Sequence, residues 1–131
     1  MALRNQFAGQ IMSKLKSVNL QEKLSMFTSH WDPHVIAQYN GNDIMVVKFK
    51  GEFDFHHHDD TDDFFLVLAG TVEIDGEDGD TVVLKPGELC VVPKGMEHRP
   101  RAADEAMVLL IEPEGLPNTG DPETAAAKPH I

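Results

Sequence analysis

Between Val35 and Pro113 the chain carries no helical period; it breaks every eight to twelve residues into short runs rich in β-branched and aromatic side chains. The runs fall at 35–39, 43–50, 52–58, 63–69, 71–75, 80–84, 88–92, 97–101 and 106–112. Turn chemistry separates them. Asn40-Gly41-Asn42 and Gly76-Glu77-Asp78-Gly79 hold residues that tolerate positive φ, and Pro86-Gly87 and Pro93-Lys94-Gly95 mark further reversals. Strands in succession with no helix between them exclude a parallel sheet with crossover helices. They predict an all-β domain, an antiparallel sandwich or barrel such as a jelly roll. A chain of 131 residues supports one core of that kind and not two.

The flanks read differently. Leu3, Phe7, Ile11 and Leu15 recur every four residues, so positions 1–17 are expected to form a helical extension before a barrel domain at 18–117. Asn19 with Glu22 three residues on is a capping box, and Leu20, Leu24 and Phe27 share a face, which predicts a second short helix. Residues 118–131 lose the pattern and read as a loose tail. Charge narrows the partners. Twenty-two acidic residues against eleven Lys and Arg give a formal charge of -11, a surface that repels nucleic acid and anionic lipid, so neither is an expected partner. No apolar run approaches the roughly 18 residues of a membrane span, and the one cysteine, Cys90, leaves no internal disulfide. A cytoplasmic protein is expected, with Cys90 a small hydrophobe in its strand.

The chemistry concentrates in histidine. In an extended segment side chains alternate, so His56 and His58 point one way and His57 the other. Asp63 follows an acidic loop that can return a carboxylate opposite them, and His98 follows the Pro93-Lys94-Gly95 turn. Three imidazoles and a carboxylate suit a divalent transition metal, iron, manganese, nickel, zinc or copper, better than Ca²⁺ or Mg²⁺ with their oxygen shells. Eleven of the acidic residues lie between Glu52 and Asp80 with no Lys or Arg among them; such a run is ordinarily a solvated rim.

These residues resemble the two motifs of the cupins, small double-stranded β-helix barrels. Gly51-x4-His56-x-His58-x4-Asp63-x6-Gly70 is similar to the first, G-x5-H-x-H-x3,4-E-x6-G, with a leading spacer one residue short and Asp in place of Glu. Gly87-x5-Pro93-x-Gly95-x2-His98 is similar to the second, with Ala102 where the family has Asn. Ser29-His30-Trp31, Leu84-Lys85-Pro86-Gly87 and Asn118-Thr119-Gly120-Asp121 further resemble single-domain bacterial cupins labelled mannose-6-phosphate isomerase-like, a label that follows the barrel and not a substrate. The resemblance implies that His56, His58, Asp63 and His98 are metal ligands and that the barrel engages a small polar ligand. It leaves open an oxygenase, an isomerase of a sugar or keto acid, and a module that binds or stores without turnover. Asp63 is one methylene shorter than Glu, so its carboxylate is expected about 1.5 Å further back.

Phe53 and Phe55 are out of phase with His56 and His58 and are expected on the outer face, covered by the N-terminal helices or by the second subunit of an expected homodimer. Asp54, Glu52 and His30 are the available candidates for a general acid or base that is not a ligand. Arg99 and Arg101 read as surface charge.

Overall fold

The structure, a computed structural model, describes residues 14–131. Helix α1 spans Leu20–Leu24 and is followed by β1 His34–Tyr39, β2 Asn42–Glu52, β3 Asp63–Ala69, β4 Val72–Gly76, β5 Thr81–Leu84, β6 Leu89–Val92 and β7 His98–Pro113. All pairings between these strands are antiparallel. The strand path runs β1-β2-β7-β3-β6, and β4 joins β7 to β5. The all-β expectation holds.

Two expected strands, 97–101 and 106–112, are one. β7 runs unbroken for 16 residues and serves two sets of partners, β4 at His98 to Arg101 and β3 at Met107 to Ile111, with β2 beside it from Arg101 to Pro113. The exposed stretch Ala103–Glu105 lies within it, which is why composition suggested a break. The expected strand at 52–58 is also corrected. β2 ends at Glu52, and beyond it only His56 pairs, in an isolated bridge with His98. Gly70, at φ +80, turns β3 into β4 where an added Cβ would stand 2.9 Å from both the Ala106 Cα and the Glu105 carbonyl oxygen, so only glycine passes β7 this closely.

Alternation builds the interior. Met45, Val47 and Phe49 from β2, Phe65 and Val67 from β3, and Ala106, Val108 and Leu110 from β7 form one buried cluster with Val72, Ile74, Leu84 and Val92. Each large side chain so buried stabilises the fold by roughly 1.5 to 3 kcal/mol. A second cluster lies on the other face of β2, where Leu24 and Phe27 cover Val46, with Leu20, Ile36, Leu68 and Met107 packed around them. α1 starts as its capping box requires, Asn19 Oδ1 accepting from the Glu22 N–H at 2.9 Å. The expected first helix lies mostly outside the described residues; residues 14–18 are not helical, and Leu15 is exposed.

The last residues are not loose. Val35 N–H donates to the Pro129 carbonyl at 2.8 Å and Ile131 N–H to the Val35 carbonyl at 3.0 Å, so the segment lies along β1. On its way Lys128 reaches inward, its Nζ donating to Glu112 Oε2 at 3.2 Å and to the Leu116 carbonyl.

Candidate metal centre

The two motif segments are tied together by backbone. His56 N–H donates to the His98 carbonyl at 3.0 Å, and His98 N–H to the His56 carbonyl at 2.9 Å. Gly95, in the turn before His98, donates to the His58 carbonyl at 2.7 Å, and Lys94 N–H to Asp62 Oδ1 at 2.9 Å. His56 and His98 therefore face each other across a bridge. His58 is pinned by the turn, and Asp63 enters as the first residue of β3.

All four side chains are buried, and their candidate donor atoms lie within 4.8 Å of one another. His57, between them, is exposed and meets Asp59 and Glu97 instead. The alternation argument holds although the segment is a bridge and not a strand. Asp63 is not set back from the cluster. Its Oδ2 lies 2.7 Å from His98 Nε2, 3.4 Å from His58 Nε2 and 3.8 Å from His56 Nε2. Burial works against its charge, but the three imidazoles of His56, His58 and His98 around it outweigh that and hold the Asp63 carboxyl well below the usual carboxylate range.

The tautomers suit a metal. His56 Nδ1 lies 2.9 Å from the Asp54 carbonyl and His98 Nδ1 2.8 Å from the Met96 carbonyl. A carbonyl only accepts, so Nδ1 carries the proton in both rings and Nε2 faces the cluster. A cation held by the four residues would take the place of the direct contact between His98 Nε2 and Asp63 Oδ2, 2.7 Å apart. Both ring nitrogens of His58 and Oδ1 of Asp63 are buried without a hydrogen-bond partner. Orphaned donors around a shared centre are what a metal site requires, since unpaired polar groups at this depth are otherwise costly. Ligands about 2.1 Å from one ion lie within about 4.2 Å of each other. Closure by a few tenths of an ångström brings all four into range, so the residues fit a divalent transition metal.

A narrow cleft adjoins the cluster, lined by His56, Asp63, Glu112 and Asn118 among others. Its walls are aromatic. Trp31 stacks on Phe49 at 4.3 Å and lies 5.0 Å from Phe53, which in turn meets the His56 ring edge-on at 5.3 Å. Phe53 thus faces the cleft and not the outer surface, because residues 53–55 leave the regular pleat on which the expected phase depended. Phe55 does point outward, half exposed under the Arg99 guanidinium. Arg101 and Arg99 both donate to Asp75, holding its carboxyl below the usual range.

The expected acid–base candidates do not line the cleft. His30 bonds Glu105, Glu52 pairs with Arg99, and Asp54 is exposed. Glu112 does, and the sequence reading missed it. Burial and the nearby Asp63 carboxylate push its carboxyl up to about 7 against the pull of Lys128. One signal was available: Ala106, Val108, Leu110 and Glu112 alternate along one face of β7, which turns a carboxylate inward.

Comparison with known proteins agrees with this architecture. A family model described as a cupin domain matches residues 43–112. The solved structure of a cupin-2 domain containing protein from Shewanella frigidimarina is 43% identical, with a TM-score of 0.72 over 74% of this chain and 94% of that one. An uncharacterised Bacillus subtilis protein, YdbB, is 39% identical over 77 residues, 59% of this chain and 68% of its own length. A 3-hydroxyanthranilate 3,4-dioxygenase of Xanthomonas campestris pv. campestris is 29% identical over 87 residues, 64% of this chain; the match spans about half the length of that enzyme, 49%.

Proposed function

The chain belongs to the cupin domain family, and from that premise we propose that His56, His58, Asp63 and His98 hold a divalent transition metal beside a cleft that receives a small polar ligand. The observation that carries the reading is His58, buried with neither ring nitrogen partnered, in a cluster with three other candidate ligands. Iron, manganese, nickel, zinc and copper all suit imidazole with one carboxylate, and the bound ion supplies Lewis acidity to a ligand in the cleft. The residues of the chain do the rest. Backbone carbonyls orient His56 and His98, and the aromatic walls limit water around the ligand.

A catalytic reading is favoured over storage by Glu112, a buried carboxylate in the cleft that is not among the four clustered residues. The likeness to a dioxygenase over 64% of the chain is consistent with it. The reading also carries a cytoplasmic homodimer. Among the described residues no helix is long and apolar enough to cross a membrane. Phe55, Leu89 and Val91 stand about half exposed, the latter two on β6 at the end of the strand path.

Metal analysis by mass spectrometry on protein purified without a histidine tag tests the centre. About one equivalent per chain is expected. His58→Ala and His98→Ala should lose it, His57→Ala should keep it, and Asp63→Asn should bind more weakly than Asp63→Glu. A metal-free protein that takes up none of these ions on dialysis, or equal loss in all three histidine variants, overturns the reading.

A further inference from the structure

Glu112 is costly to bury. Its neighbours on the inward face of β7, Val108 and Leu110, are apolar, and Glu112 is only 3% exposed. The register places Asp43 directly opposite it on β2, and Asp63 starts β3 on its other side, so three carboxylates cross one end of the barrel interior. Lys128 is the cation that reaches Glu112, and it engages Oε2. Among the described residues Oε1 has no hydrogen-bond donor, and Glu112 lines the same cleft as Trp31, Phe49, Phe53 and Phe65.

We propose that Glu112, held by Lys128, is the specificity-determining acceptor of the cleft, and that the cleft takes a small aromatic ring bearing a hydroxyl or amino hydrogen-bond donor directed at Glu112. The inference rests on the reading of the cleft as a ligand site. Four aromatic side chains, Trp31, Phe49, Phe53 and Phe65, line the cleft, and such a lining favours a planar apolar ring over an aliphatic acid. A carboxylate whose remaining oxygen lacks a donor rewards a ligand that brings one and penalises an analogue that does not. A carboxylate at the donor-bearing end of the ligand would meet Asp63 and Glu112 together, so that end is neutral or cationic. A latch holding only the last residues in place would give the pair no influence on which ligand binds.

Trp31, the one tryptophan of the chain, lies in the cleft wall and reports occupancy by its fluorescence. Resorcinol and hydroquinone are titrated against 1,3- and 1,4-dimethoxybenzene, which keep the ring but have no hydrogen-bond donor. Titrations use anaerobic full-length protein, with and without Zn²⁺. The dihydroxybenzenes are expected to bind about tenfold or more tightly than the dimethoxybenzenes, the range for a hydrogen bond lost at a buried acceptor. Glu112→Leu should abolish the preference, and the shape-preserving Glu112→Gln should cut it severalfold, both with Zn²⁺ occupancy unchanged. Zn²⁺ bound with no preference, or a preference untouched in both variants, overturns this inference alone. A preference without any metal uptake overturns the metal reading and leaves this one standing.

Discussion

The raised carboxyl of Glu112 makes the stability of the metal-free protein depend on pH in a direction opposite to that of carboxylates held by ion pairs. Its carboxyl stands at about 7 in the folded chain against 4.5 as its ordinary value. Between those values the folded state binds more protons than the unfolded one, so unfolding free energy falls as pH rises. The stabilisation is fully present below pH 4.5 and is lost as pH passes through 7. Each tenfold change in proton affinity is worth about 1.4 kcal/mol, so the full span is about 3 kcal/mol, of which about 2 to 3 kcal/mol falls between about pH 5 and 8. Asp63, held below its usual range, gives the opposite slope, but only in acid below that window. The assay is urea unfolding of chelator-treated protein at intervals from about pH 5 to 8, for the parent and Glu112→Gln. The amide does not titrate, so the difference between the two curves should change by about 2 to 3 kcal/mol across the window, the variant gaining relative to the parent as pH rises. Its constant offset, which includes the lost ion pair with Lys128, does not enter. Curves that run parallel across the whole window would refute the claim that Glu112 is buried at the cost of its charge.

Two further outcomes follow from packing and surface. Gly70→Ala should cost about 2 to 5 kcal/mol in urea unfolding, the sum of a positive-φ penalty and contact with Ala106 and Glu105, whereas Gly79→Ala, at the same φ with open space around it, should cost about 1 to 2 kcal/mol; equal costs would show that β7 yields at Gly70. The proposed homodimer should sediment at twice the chain mass at micromolar concentration and dissociate in Phe55→Asp with Leu89→Asp, and a parent protein that sediments as a single chain refutes it.

The strand alternation, the turns and the histidine spacing were legible in the sequence because each is a local property. A period of two sorts His56 and His58 from His57, Asn19 and Glu22 cap α1 within one turn, and glycine and proline mark reversals wherever they occur. The four clustered residues were legible for the same reason, together with a family pattern spanning residues 51–98. What tertiary structure decided were the relations between segments far apart in the chain. That the expected strands 97–101 and 106–112 are one, His98–Pro113, follows from its long pairing with β2, which no local propensity encodes. Phe53 turns into the cleft because the pleat stops at Glu52, where β2 loses its partner and the chain becomes free to redirect a side chain. The reach of Asp63 to all three imidazoles depends on where the start of β3 sits, not on the length of its side chain. Glu112 and Lys128 lie 16 residues apart and become a pair only when the last segment lies along β1. A buried charge owes its state to whatever burial brings around it, and in this chain residues distant in sequence supply that surrounding.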